Sequence, residues 1–476
     1  LLRLLTLGHH HLFVDEAWSW TVAQHSLQDI LRLSQTDPHP PLYYLLLKTS
    51  RIFFPDTESG LRVLSTFFSL ASLALILIFV TRWWNKQAAL YAGLLTTISF
   101  FELYHAQHAR MYTLLGLLWL VSYILLLEGL QTRPPLLLLW GIINILMVWT
   151  HFYGFLALAP SLIFVLVILA WQLIARKPIP FNLFWLAAGI SITIIGSLPM
   201  LGLLLQHTGK YVGGAWQPER KELLRFFSVF LIGRPVLHGQ VMLFFLADLP
   251  AEIRWTLGSL FAVVMAPGML AAWKSQKEQR YLLIFSLLSI FMPPLIVLIY
   301  GQITDKPVWA DKSFLGVAYI YFIWMGIGFS QIPYQILRRS IATLMIIFSL
   351  LVITPYFAVY QKTDVVAALN TLPASPDEHH VILANYAWYA PLIFYYHPHT
   401  SEVWGLKNTG LVKVHAKRYP LPETYTPLSP DMPAFQHATD IMVYEGRIAQ
   451  ENYPEYLLNK NIWVFRAGKW QLLTEP

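Results

Sequence analysis

The stretch LRVLSTFFSLASLALILIFVT, residues 61–81, carries one charge, Arg62, at its start and is otherwise apolar, small or hydroxylated. About 20 such residues at ~1.5 Å each cross the ~30 Å hydrocarbon layer of a bilayer, so the segment reads as a spanning helix. Working outward, comparable runs occur at 88–103, 112–130, 136–149, 155–175, 183–205, 255–273, 281–303, 314–331 and 341–360. The run 136–149 is short and is expected to extend into its flanks. Leu1–Leu7 cannot span, so a first helix is expected to be truncated here or to begin upstream. The expectation is an all-α polytopic membrane protein of about 11 transmembrane helices.

Composition agrees. Charged residues make up 12% of the 476 residues, about half the ~25% of an average soluble domain. With 0 cysteines there is no disulfide framework, thiolate metal site or cysteine nucleophile. The net charge of +7 does not form one basic face, so nucleic acid is not expected as a partner. Lys and Arg instead fall in short loops, at Arg82/Lys86, Arg133, Arg176/Lys177, Lys274/Lys277/Arg280 and Arg338/Arg339, which are every second turn. Those loops are expected on the cytoplasmic side. The alternate loops, 9–41, 104–110, 151–154, 206–254 and 304–312, and everything after Tyr360, are then external.

That parity requires residues 40–55 not to cross; about 14 helical residues reach only ~21 Å, which suits an interfacial or re-entrant helix. Before it, Trp20, Ala23, Leu27, Ile30 and Leu31 recur at helical spacing with Gln24, Gln28 and Arg32 on other faces, the pattern of a membrane-surface helix. A second surface helix is expected at Leu223, Phe226, Phe227 and Phe230. Past residue 360 the sequence becomes polar, with strand-like pieces at 381–383, 441–444 and 462–465 and a closing hairpin through Ala467-Gly468-Lys469. Two domains are expected: 1–361 spans the membrane, with a first external loop at 9–57 and a large one at 206–254, and 362–476 is a small extracytoplasmic α/β domain.

Ionisable groups beside a membrane are costly, so external clusters are candidate chemistry. Asp15 and Glu16 are adjacent acids followed by Trp18 and Trp20. A sugar transferase with a phosphate leaving group needs one base for the acceptor hydroxyl, where a glycosidase usually needs two opposed carboxyls. The alternative is that the pair caps a surface helix. Arg110 offers a planar fork to a phosphate or carboxylate, or else snorkels to headgroups. Lys312 offers a point charge to a phosphate, or else anchors in headgroups. His9, His10, His11, His39, His105, His108 and His151 all fall outside in this topology. His105 and His108 with a carboxylate are the conceivable divalent-metal site, but no HExxH-like pattern occurs, and no metal or other cofactor is expected to be required. No Gly-rich phosphate loop is present, so no nucleotide is implied.

Taken in order, Asp15-Glu16, His39-Pro40-Pro41-Leu42-Tyr43-Tyr44, Leu61-Arg62, Gln107-His108-Ala109-Arg110-Met111-Tyr112 and Thr150-His151-Phe152-Tyr153-Gly154 resemble the bacterial branch of the GT-C fold glycosyltransferases. That group is related to protein O-mannosyltransferases and the aminoarabinose transferase of lipid A. The resemblance implies the GT-C fold, a polyprenyl-phosphate sugar as donor, and Asp15, beside Glu16, as catalytic base. It further implies donor-phosphate contacts from Arg110 and Lys312, and substrate contacts from His39, Gln107, His108, Tyr112, His151 and Tyr153. Two positions depart from the pattern: His108 stands where relatives commonly have Glu, and Lys312 where they often have Arg. The activity implied is an inverting hexosyl or pentosyl transfer to a lipid, glycan or protein hydroxyl, at the outer face of a cytoplasmic membrane. The competing reading is a transporter or flippase of a lipid-linked or anionic substrate, which would carry its charges near the bilayer midplane rather than at one edge.

Overall fold

The computed structural model describes residues 2–35, 37–207, 217–218, 226–230, 251–358, 380–384, 390–396, 402–407, 410–415, 426–427, 440–444, 461–466 and 469–472. Two units are distinguished, one of Leu1–Leu7, Ser34–Tyr43 and Arg62–Tyr360, the other of Gly8–Leu33, Tyr44–Leu61 and Gln361–Pro476. Helices begin with α1 (Val14–Gln24), α2 (Leu27–Leu33), α3 (Leu42–Ser50), α4 (Glu58–Trp83), α5 (Lys86–Ile98), α6 (Phe100–Ala106) and α7 (Tyr112–Gln131). They continue with α8 (Leu136–Thr150), α9 (Gly154–Ile174), α10 (Leu183–His207), α11 (Ala251–Lys274), α12 (Lys277–Thr304), α13 (Leu315–Gln331), α14 (Gln335–Ala358) and α15 (Ala390–Tyr396).

In the first unit, 7 helices among the described residues are long and apolar enough to cross a membrane. They include α4, the decisive stretch of the sequence, at 26 residues. The chain is a multi-pass membrane protein. The segment 42–50 forms a helix of 9 residues, too short to cross, in keeping with the interfacial or re-entrant reading. Prolines sit inside α9 (Pro160), α10 (Pro199), α11 (Pro267) and α12 (Pro293, Pro294). Neighbouring helices can satisfy the freed carbonyls in a spanning bundle, so these prolines do not end the helices.

Helix α13 is the centre of this unit, buried nearly throughout. Small residues let it approach its neighbours closely. A Cβ on Gly326 would lie 2.5 Å from the Ala88 carbonyl oxygen of α5, and one on Gly328 would lie 2.0 Å from that of Val264 in α11. Close backbone approach of this kind replaces the hydrophobic driving force that lipid does not supply.

Three expectations are corrected. The run 88–103 is not one helix: Ser99 leaves the helical region at φ −65°, ψ 117°, and its Oγ accepts the Glu102 N–H at 3.1 Å to start α6. Ser99-Phe100-Phe101-Glu102 spells a capping box, a signal that hydropathy hides. The short run 136–149 does not extend; α8 is 15 residues long, entered from Pro134-Pro135 and left at His151, whose backbone is extended. Residues 226–230 are helical but not on the surface: Phe226 and Phe230 are buried, with Phe226 against Trp309 and Phe314. Aromatic side chains at helical spacing suit a core face as well as a lipid face, and only neighbours decide between them. Leu223 lies outside the described residues.

Beneath the 104–110 segment lies a buried ionic network. Arg3 donates from Nε to Ser69 Oγ at 2.5 Å, and from Nη2 to Glu102 Oε2 at 2.5 Å and to the Thr96 carbonyl at 2.9 Å. Glu102 Oε1 also accepts from Ser69 at 2.5 Å and from the Tyr319 hydroxyl at 3.2 Å. Every group in it is hydrogen-bonded, which is the condition on which a charge pair survives burial.

The second unit holds α1, α2, α15 and a seven-stranded sheet in the order β4-β3-β2-β1-β5-β6-β7. The strands are β1 (His380–Ala384), β2 (Glu402–Lys407), β3 (Gly410–His415), β4 (Thr426–Pro427), β5 (Asp440–Tyr444), β6 (Asn461–Arg466) and β7 (Lys469–Leu472). β1, β5 and β6 cover the three pieces expected, and β6 pairs antiparallel with β7, Arg466 opposite Lys469, as the expected hairpin requires. β1 runs parallel to both β2 and β5. Within this unit α1 packs on α15: Trp20 meets Tyr395 edge-on at 5.0 Å, and the Tyr396 hydroxyl accepts the Leu12 N–H at 2.6 Å and donates to Glu58 at 3.0 Å.

Candidate functional site

In the first unit, the motif segments His39-Pro40-Pro41-Leu42-Tyr43, 107–112 and 150–154 converge at one end of the helices. The joints are polar. Tyr43 donates its hydroxyl to Ser65 Oγ of α4 at 2.9 Å, and Ser65 in turn donates to the Arg110 carbonyl at 3.1 Å. Thr66, one residue on, donates to the Ala106 carbonyl at 2.9 Å. Two successive hydroxyls of α4 thus fix the backbone that carries Arg110.

The Arg110 side chain is buried, and its Nη2 lies 3.2 Å from His39 Nε2. A guanidinium only donates, so His39 Nε2 holds a lone pair and the ring proton sits on Nδ1. That nitrogen donates to Asp37 Oδ1 at 3.0 Å. Burial, then Arg110, hold His39 below its ordinary 6.5, against the opposing pull of Asp37. His39 is therefore neutral at neutral pH.

His151 stands edge-on to His39 with ring centroids 5.6 Å apart. Its Nδ1 accepts the Tyr153 N–H at 3.1 Å, which leaves the proton on Nε2, facing Ser313 Oγ at 3.5 Å. Burial pushes His151 well below the usual histidine range, helped by His39, Lys312 and Arg110. Lys312 belongs to the 3₁₀ turn Asp311–Phe314 and places its ammonium 5.2 Å from the centre of the Tyr112 ring. The Tyr112 hydroxyl is buried and meets no hydrogen-bond partner among the described residues. Tyr153 donates its hydroxyl to the Val308 carbonyl, fastening the loop before Lys312 to the start of α9.

Of the residues singled out in the sequence, His39, Arg110, Tyr112, His151, Tyr153 and Lys312 thus meet in one place. Two cations and two neutral imidazoles around an orphan hydroxyl make a cluster suited to an anion with several oxygens. Gln107 is turned elsewhere: its amide donates to the carbonyls of Arg3 at 3.2 Å and Leu5 at 2.9 Å, holding the 2–5 segment. His108 is buried, against Tyr104 at 5.6 Å and parallel to His105 at 6.5 Å. Among the described residues, no three His, Asp or Glu side chains converge in a metal-binding group. Asp37, Ser313 and the Arg3–Glu102 pair were not singled out in the sequence; an acid two residues before a His-Pro-Pro motif is the one local signal that marks Asp37.

Asp15 and Glu16 belong to the second unit, in the first turn of α1. Their environments differ. Glu16 is fully buried and its Oε2 accepts the Phe13 N–H at 2.8 Å, so it has the capping role. Asp15 is half-buried, one residue round the helix. Glu16→Ala is expected to cost about 1 kcal/mol, the usual worth of a helix cap. Glu16→Gln, which keeps the acceptor oxygen, is expected to cost less; thermal unfolding of the two variants in detergent checks the order.

No family model matches the chain, and no curated protein matches it in sequence. Solved structures do. ArnT from Cupriavidus metallidurans in the apo state is 12% identical with a TM-score of 0.55, over 90% of this chain and 87% of that one. ArnT from the same organism bound to undecaprenyl phosphate gives 12% and 0.53, over 86% and 84%. At this identity the likeness is one of fold, and the fold is the one the motifs resemble: the chain is a polytopic membrane protein of the GT-C fold.

Proposed function

We propose that the chain is an integral-membrane glycosyltransferase that moves a hexosyl or pentosyl group from a polyprenyl-phosphate donor to an acceptor hydroxyl. The observation that carries this reading is the pairing of Arg110 with Lys312 around His39, His151 and Tyr112 on a GT-C scaffold. A neighbouring structure of that fold holds undecaprenyl phosphate, a ligand whose headgroup chemistry such a cluster suits.

In this reading Arg110 and Lys312 hold the donor phosphate, and the Tyr112 hydroxyl donates to one of its oxygens. Asp15 takes the proton of the acceptor hydroxyl as that oxygen attacks the anomeric carbon from the face opposite the phosphate. The bond from carbon to phosphate oxygen breaks, the sugar is inverted, and the lipid phosphate leaves without needing an acid. The reaction takes place at the outer face of a cytoplasmic membrane, where no nucleotide sugar is supplied. The acceptor is a lipid, glycan or protein hydroxyl, and no metal is required.

The test is transfer of labelled sugar from a panel of polyprenyl-phosphate donors by the purified protein, with and without EDTA. Transfer that persists in EDTA is expected; no transfer from any donor, with movement of a lipid-linked substrate across liposomes instead, would overturn the reading. A second expectation concerns affinity. Arg110→Lys keeps the charge and loses the fork, so the Kd for polyprenyl phosphate should rise about 10- to 100-fold. Unchanged binding would remove Arg110 from the phosphate site.

A further inference from the structure

We infer that Asp37 is a positioning residue of the donor-phosphate site, aiming Arg110 through His39. The inference rests on the donor-phosphate reading above and adds a residue to it. Three groups lie in a chain: Asp37 Oδ1 to His39 Nδ1 at 3.0 Å, and His39 Nε2 to Arg110 Nη2 at 3.2 Å. Asp37 is 3% exposed, so its carboxylate acts in a low local dielectric, where a hydrogen bond is electrostatically stronger than in water. A neutral imidazole has one proton, and its place decides what the other nitrogen does. With the proton fixed on Nδ1 by the Asp37 carboxylate, Nε2 is an acceptor and orders the guanidinium. With the proton on Nε2, two donors face each other and the contact is lost. The groups around His39 all bear on this choice: Asp37 favours a proton on Nδ1, while Arg110, Lys312 and His151 disfavour a second proton on the ring.

Asp37 Oδ1 also accepts the His39 backbone N–H at 3.0 Å, closing a local turn before Pro40. A role in that turn alone is the rival account, and the two part under substitution. Serine keeps a short acceptor for the backbone N–H and loses reach to the ring. Asparagine keeps an acceptor for both.

The experiment uses the full chain in detergent and reads two signals. The first is the Kd for undecaprenyl phosphate in the wild type, Asp37→Ser, Asp37→Asn and Arg110→Lys, and in the Asp37→Ser/Arg110→Lys double variant. We expect Asp37→Ser to weaken binding about tenfold, Asp37→Asn to recover most of it, and Asp37→Ser to add little once Arg110 is Lys. The second is the ring-nitrogen NMR signal of His39 in histidine-labelled protein, identified by its loss in His39→Gln. We expect a single tautomer with the proton on Nδ1, drifting toward a mixture in Asp37→Ser. Wild-type affinity in Asp37→Ser, or an additive effect in the double variant, would overturn the inference. If the wild type binds no polyprenyl phosphate, the donor reading fails. The ring signal then decides the Asp37–His39–Arg110 link by itself, an unchanged tautomer in Asp37→Ser overturning it.

Discussion

Asp15→Asn should lower sugar transfer by about 10²–10⁴-fold, the usual worth of a positioned general base, while the protein folds normally and binds polyprenyl phosphate as before. Asparagine matches aspartate in shape but cannot accept the acceptor's proton. The side chain is half-buried in the first turn of α1, a place where asparagine also serves. Glu16, its neighbour, is already committed to the Phe13 N–H and is turned about 100° away on the helix, so it is not a substitute. The loss should therefore fall in kcat rather than in donor affinity. The assay is the donor-panel transfer described above, run on the wild type beside the variant; full activity in Asp15→Asn would take Asp15 out of the mechanism.

The second large effect is on stability. Glu102→Leu removes the carboxylate that balances Arg3, leaving a guanidinium 2% exposed that meets, among the described residues, Ser69 and the Thr96 carbonyl. Breaking one side of a buried pair in this way typically costs about 3–5 kcal/mol. The Tyr319 hydroxyl on the central helix loses its acceptor at the same time. Adding Arg3→Met should restore much of the loss, because two apolar side chains need no desolvation to be repaid. Unfolding midpoints of the wild type, the single variant and the double variant in one detergent give the answer. A single variant as stable as the wild type would mean that water or another group already balances Arg3.

The contrast between these two acids shows how far each was legible. Asp15 stands beside Glu16 and ahead of Trp18 and Trp20, so a pair of acids next to interface-seeking aromatics marks it without any structure. Glu102 sits inside an apolar run that reads as one continuous crossing; its partner is 99 residues away. The same holds within the cluster around Arg110. His39, Arg110, Tyr112, His151 and Lys312 could be singled out because each is a polar group at the end of an apolar segment. Asp37 carries a weaker mark, an acid two residues before His-Pro-Pro, because its contact is with the ring of another residue in the same loop. Gln107 was singled out with them, yet its amide ties down the backbone near Arg3.

Hydropathy and the spacing of basic loops are properties of the chain taken in order, and a bilayer reads them in order. A polytopic membrane protein, the rough course of its helices and the segment that turns into strands are therefore legible from the chain order, because length, apolarity and period 2 are local quantities. The burial of Phe226 and Phe230, the Arg3–Glu102 pair and the Asp37–His39–Arg110 chain come from tertiary structure. Each of these depends on which distant group supplies the missing hydrogen bond, charge or contact, and inside a bilayer that partner must come from another segment of the protein because water does not supply it.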